Sequence, residues 1–185
     1  MAYFPLGFEA LSNGQTINLG GKEWKVQFGQ GHAPDHITLW GLDRKIVFSG
    51  DQIIPGISSN LGVYPTEPFL DTVGAWMETC ARFKEMASSD HLVLPGHKLP
   101  FTGLKERLSQ LIENHSQVLG RIEKFLSNNP STAVELFEPI FRRSIKTSEY
   151  GLALAEAVGH INYFRVRNRL LWRTRSDGAV LYSLR

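Results

Sequence analysis

The chain has 185 residues and a mass of 20.8 kDa, with 42% hydrophobic and 21% charged residues, which excludes a disordered or collagen-like polymer and leaves one domain with an appendage or two small domains. No apolar run reaches the roughly 20 residues of a membrane helix, the N-terminus MAYFPLGFEA shows no secretory signal, and the single Cys80 excludes an internal disulfide, so a cytoplasmic setting is expected. The net charge of +2 is unevenly spread: residues 1–141 carry 11 Lys/Arg against 15 Asp/Glu, residues 142–185 carry 9 against 3, so body and tail read as separate units.

Strands come first. Trp24, Val26 and Phe28 alternate with polar neighbours, as in a half-buried strand, and Leu19-Gly20-Gly21 turns it back on Thr16-Ile17-Asn18. His36–Trp40 and Lys45–Ser49 are two further β-branched, apolar runs joined by Gly41–Arg44. Residues 53–68, rich in Pro, Gly, Ser and Asn, read as a long loop. Apolar residues at 3–4 spacing predict a helix over about 68–87, with Cys80 on its packing face. A short strand follows at His91–Leu94, its histidine structural, and then a long helix from Leu104 to the breaker Asn128-Asn129-Pro130. His115 lies on the packing face of that helix. Thr132 and Glu135 have capping-box spacing and predict a short helix. A helix over Leu152–Phe164 and a hairpin turning at Ser176-Asp177-Gly178 complete the chain.

Three segments carry chemistry: Gly31-His32-Ala33-Pro34-Asp35-His36, Phe48-Ser49-Gly50-Asp51 and Leu94-Pro95-Gly96-His97. Each puts an imidazole or carboxylate where a strand meets a loop. Such groups bind divalent metals, and strand ends hold them rigidly. Gly50 and Gly96 are expected to permit a sharp turn that aims the next side chain inward. Singly, each is as ordinary as a turn or a packed histidine.

In combination, the order and spacing of G-H-x-P-x-H, S-G-D and P-G-H resemble the metallo-β-lactamase fold superfamily. The likeness continues through Leu104–Arg107 and through Leu154–Phe164, which is similar to a winged-helix segment appended to one hydrolase branch of that family. It implies an α/β (α+β) fold, a partial αββα metallo-β-lactamase sandwich followed by a small winged-helix-like domain. Residues 1–100 would form the C-terminal half of the sandwich, 101–129 a connecting helix and 130–185 the winged-helix-like unit. The resemblance makes His32 a ligand of a first metal, Asp51 the bridging and catalytic carboxylate, and His97 a ligand of a second metal. One or two divalent ions are implied, with Zn expected and Fe or Mn accepted by the same ligands. The implied activity is metal-dependent hydrolysis of a small-molecule ester, thioester or lactone, with metal-bound hydroxide as nucleophile.

The sequence also departs from the family pattern. Its six histidines are His32, His36, His91, His97, His115 and His160, and none forms the family's H-x-H-x-D-H signature. The chain therefore reads as a truncated, C-terminal part with an incomplete metal site. Exposed strand faces would then favour a homo-oligomer or pairing with a missing N-terminal segment. The alternative is a catalytically inactive oligomeric or nucleic-acid-binding module with a vestigial site. His36 and Asp35 are candidates for orienting a ligand, or else strand and turn residues with local partners. Asn60 and Tyr64 are candidate substrate contacts by loop position. In the tail, Arg165, Arg167, Arg169, Arg173 and Arg175 fit phosphate binding, but docking on the acidic body is the preferred reading, against nucleic acid.

Overall fold

A computed structural model describes residues 7–185; residues 1–6, which begin the first of the three expected units, lie outside the described residues. Four strands form an antiparallel meander: β1 (Thr16–Leu19), β2 (Lys22–Gly29), β3 (His36–Gly41) and β4 (Ile46–Gly50). After a long irregular segment and helix α1 (Thr72–Met86), β5 (Leu92–Pro95) joins β4 in parallel, giving the order β1-β2-β3-β4-β5. The register pairs Gly29 with His36 and Gly50 with Pro95. Both candidate metal-binding loops after β4 and β5 therefore leave the same end of the sheet, beside the β2–β3 connection that carries His32.

Side-chain alternation sends the two faces of this sheet to different fates. Thr38, Trp40, Val47, Ser49 and Val93 point to one face and are buried. Trp40, Val47 and Val93 pack with Trp76, Cys80 and Phe83 of α1, and with Leu104, Leu108 and Leu111 of α2 (Leu104–Asn128). The opposite face is also apolar. Trp24 and Val26 are covered by neighbours such as Phe48, whose ring centre lies 5.1 Å from that of Trp24. Ile37, Phe48 and Leu92 on that face stay 43%, 42% and 38% exposed. No helix among the described residues is long and apolar enough to cross a membrane.

Helix α1 starts at Thr72, four residues later than its apolar spacing predicts. Asp71 caps it by accepting from the Gly74 N–H at 2.8 Å, and the preceding residues are held by other contacts. Phe69 lies against the Arg165 guanidinium at 3.9 Å, and the Asn162 amide donates to the carbonyls of Pro68 and Leu70, both at 2.9 Å. Thr132 and Glu135 form the expected reciprocal capping contacts, but the residues between them make only a turn, and α3 begins later, at Phe137–Phe141. Helix α4 (Tyr150–Val166) and the hairpin β6 (Leu170–Thr174) with β7 (Val180–Leu184) follow as the tail.

The tail does not stand apart. Ala153, Ala157, Ile161 and Phe164 of α4 and Leu170 of β6 belong to the same apolar cluster as the sheet and α1. Arg167 donates to Asp71 at 2.5 Å, and Arg169 to Glu123 on α2. Two of the five arginines expected to mark a basic surface are thus paired with acids of the body.

A buried histidine pair sits inside this junction. His115 lies 4.6 Å from the Trp76 ring and stacks on His160 at 6.1 Å and 8°. Each donates its Nδ1–H to the carbonyl one helical turn back, Leu111 for His115 and Glu156 for His160. Burial lowers both, His160 to about 4. The unfolded chain therefore binds more protons than the native state between about pH 6.5 and 4, and stability falls as pH drops through that window. Burial raises the Glu156 carboxyl to about 7, which acts oppositely by favouring the native state at low pH. The His160 contribution is isolated by comparison with His160→Leu. From pH 7 to 4, denaturant titration should show the parent losing about 3 kcal/mol more than the variant; parallel pH profiles would contradict a buried neutral His160.

Candidate metal and active site

Each of the three glycine-bearing motifs is shaped by a specific close approach. Gly31 has φ +96°, and a Cβ there would run into the Thr72 carbonyl oxygen and the Trp76 side chain. The first turn of α1 therefore demands glycine immediately before His32. Gly50, at φ +50°, makes the turn that places Asp51, and its missing Cβ leaves room for the His36 ring, which would otherwise lie 2.6 Å away. Gly96 works differently from the expected sharp turn. It is not in the left-handed region; its Cβ would sit 2.5 Å from Asp51 Oδ1, so glycine there makes space for the carboxylate.

Asp51 is the hub. His97 Nδ1 lies 2.6 Å from Asp51 Oδ1, and a carboxylate accepts, so the ring donates its Nδ1–H. On the other side, His32 Nε2 faces Asp51 Oδ2 at 3.9 Å. His32 carries a proton on Nδ1, which it donates to the Asn60 carbonyl at 2.9 Å. In the neutral ring Nε2 is then a bare lone pair facing a carboxylate oxygen. His36 lies beneath: its Nε2 accepts the Asp51 backbone N–H at 3.3 Å, its ring centre is 5.8 Å from that of His32, and its Nδ1 is buried without a partner. Burial, then the neighbouring His32, lowers its pKa and favours a neutral ring.

This donor chemistry suits a divalent cation in part. A ring nitrogen and a carboxylate oxygen face each other 3.9 Å apart, both of a type that donates lone pairs to a cation, and His32 and Asp51 are the residues that would hold one. His97 is a further donor on Asp51, with its side chain 67% exposed and its Nδ1 engaged by Asp51. Among the described residues, no group of three or more His, Cys, Asp or Glu side chains is placed to hold a metal ion. The described cluster therefore falls short of a complete donor set.

The other predicted residues divide. Tyr64 lines the same cavity as His32, a pocket of about 190 Å³ walled also by Ala33, Pro34, Leu70 and Ala75. Asn60 reaches His32 through its backbone carbonyl. Asp35 sits in the turn before β3 at φ +47°, where its carboxylate takes the Gln30 side-chain amide at 2.7 Å and its N–H donates back to the Gln30 side-chain oxygen at 3.3 Å, a local turn role. Cys80 is fully buried, and burial pushes its thiol far up, so it packs. His91 accepts the Ser88 N–H at 2.9 Å ahead of β5, likewise a turn role.

Several residues support the cluster in roles the sequence did not show. Ser59 donates to the Asp51 carbonyl. The fully buried Gln52 donates to the Gln30 carbonyl at 3.1 Å and ties the Asp51 loop to the end of β2. Arg107, noted only as part of a motif on α2, donates to the carbonyls of Ile54 at 2.9 Å and Ile57 at 2.6 Å and straps the loop beyond Asp51. Glu156 of α4 accepts from the Asn60 amide at 2.7 Å. All four act across long sequence separations or on backbone carbonyls, which local patterning does not encode.

Comparison with known proteins places this geometry. A family profile described as Metallo-beta-lactamase superfamily matches residues 2–97, and one described as Metallo-beta-lactamase-like, C-terminal domain matches residues 119–185. The chain is 36% identical over 116 residues to the proteins named acyl-coenzyme A thioesterase MBLAC2 of Bos taurus and of Homo sapiens, covering 62% of this chain and 39% of theirs. It thus spans about two-fifths of the length of those curated relatives. Among solved structures, a beta-lactamase domain protein from Burkholderia ambifaria superposes with a TM-score of 0.92 at 29% identity, over 98% of this chain and 53% of that one. A metallo-beta-lactamase family protein from Thermus thermophilus shares the fold with a TM-score of 0.83 at 22% identity, over 98% and 56%. The sheet with helices on its buried face, the Asp51-centred cluster at its end and the profile match over more than half of the residues together establish that this chain belongs to the metallo-β-lactamase superfamily of hydrolases.

Proposed function

We propose that the chain contributes to a metal-dependent thioesterase acting on small acyl thioesters, with His32, Asp51 and His97 as its part of the metal-binding centre. The observation that carries this is His32 Nε2 facing Asp51 Oδ2 at 3.9 Å, with His32 also lining a cavity walled by Ala33, Pro34, Leu70 and Ala75. Apolar walls beside charged donors suit an acyl chain whose polar thioester end meets the donors. The name of the relatives at 36% identity favours an acyl-coenzyme A thioester over a lactone or β-lactam. A divalent cation bound there, with Zn the expected one, would polarise the thioester carbonyl and lower the pKa of water.

The residues of this chain have separable tasks. Asp51 offers an oxygen on each side, His32 turns its Nε2 toward one of them, and His97 keeps Asp51 oriented through Nδ1–H while its other nitrogen stays at the surface. His36 holds the Asp51 backbone from below. The remaining donors are proposed to come from polypeptide beyond the described cluster, the same polypeptide covering the open sheet face at Ile37, Phe48 and Leu92. The tail is proposed to be a winged-helix-like module used for docking, because Arg167 and Arg169 are spent on Asp71 and Glu123.

Release of free thiol from acyl-coenzyme A, measured with Zn²⁺, Fe²⁺ or Mn²⁺ on protein containing these residues, tests the reading. Asp51→Ala should lower kcat/KM by at least about 100-fold; equal rates for parent and variant would sink it. Gly96→Ala offers a finer check. Its Cβ meets the movable end of Asp51, at 2.5 Å, and the Gly50 carbonyl carbon at 3.2 Å. Thermal unfolding should therefore shift by no more than about 1 kcal/mol, while Zn²⁺ affinity measured by calorimetry falls roughly 10-fold or more.

A further inference from the structure

Helix α4 reaches the candidate metal-binding centre through a short irregular segment, residues 60–63. His32 Nδ1–H donates to the Asn60 carbonyl at 2.9 Å, so the placement of that one peptide fixes which ring nitrogen of His32 carries the proton. The peptide itself belongs to no strand or helix. Its anchor is the Asn60 side chain, whose Nδ2 donates to Glu156 Oε2 at 2.7 Å and to the Leu152 carbonyl at 3.4 Å, while its Oδ1 accepts the Gly62 N–H at 3.1 Å. Two further contacts press the same segment on the helix. The Val63 N–H donates to the Ala155 carbonyl at 3.2 Å, and a Cβ at Gly159 would collide with the Leu61 carbonyl oxygen. Leu61 itself is fully buried, and Thr72 Oγ1 donates to its carbonyl at 2.6 Å.

From this chain of contacts we infer that Glu156 is a positioning residue for His32, acting through Asn60 to hold the His32 ring as the Nδ1–H tautomer with Nε2 open toward Asp51. Glu156 touches neither His32 nor the cavity beside it. Its carboxyl orients the Asn60 amide, the amide orients its own carbonyl, and the carbonyl selects the tautomer. The tail of the chain is in this way part of the donor set's support. The consequence for catalysis rests on the thioesterase reading above; the tautomer link does not.

The test reads His32 directly. In the chain labelled with ¹⁵N in its imidazoles and free of added metal, ring nitrogen shifts report the tautomer. The parent should show His32 as Nδ1–H. Glu156→Leu removes the acceptor for Asn60 and should shift the His32 tautomer ratio about five-fold toward Nε2–H, the worth of one hydrogen bond. Glu156→Gln keeps an acceptor in place and should restore the parental ratio, which a purely packing role would not require. Asn60→Ala, which retains the backbone carbonyl, should behave like Glu156→Leu and replaces it if that variant fails to fold. A parental tautomer in folded Glu156→Leu or in Asn60→Ala overturns the inference. Zn²⁺ titration and thiol release on the parent alone separate the two ideas. A parent that neither binds metal nor hydrolyses thioesters, yet whose tautomer follows Glu156, refutes the proposed function and leaves the positioning link standing.

Discussion

Three separate stretches of chain converge on the first turn of α1, and the site is built on that contact. Gly31 lies against the Thr72 carbonyl and Trp76, with no space for a side chain. The Thr72 hydroxyl holds the Leu61 carbonyl, and Gly159 of α4 packs on both. Asp71 caps the helix and receives Arg167 from the tail. The G-H segment, the loop after Asp51 and α4 are therefore fixed against one rigid surface. Interiors packed at crystal-like density transmit small displacements, so the His32 position depends on all three.

That convergence also explains the lopsided charge of the chain. An acidic body and a basic tail look like two objects in the sequence. In the fold, Arg167 meets Asp71 and Arg169 meets Glu123, while one apolar cluster runs from Trp40 to Leu170 without a break. Apolar burial supplies the binding, and the partly exposed ion pairs contribute little to stability but fix how the tail sits.

Much of the architecture is written locally. Alternation in Trp24–Phe28 and the 3–4 spacing of Leu104–Phe125 give the strands and the long helix, because each element buries a face whose period matches its geometry. Where the pattern misleads, a distant partner is responsible. Phe69 and Leu70 continue the apolar spacing of α1, yet Arg165 and Asn162, more than ninety residues on, take them out of the helix. The site divides in the same way. His32, Asp51 and His97 are readable because strand-end glycines flag them. The supporting roles of Glu156, Gln52 and Arg107 are not, since they act on backbone carbonyls or on an amide 96 residues away.

The hydrogen bond between Asn60 and Glu156 spans just over half of the chain. Contacts that close such long loops bear the greatest ordering entropy, whereas β1 to β4 pair with sequence neighbours. Native proteins open in contiguous cooperative units, so a helix and a meander need not open together. Transient detachment of α4 would thus free the peptide that accepts from His32 while the meander stays paired. The integrity of the donor geometry is then tied to the docking of α4, and motion of the tail is felt at His32 while the sheet that carries it stays paired.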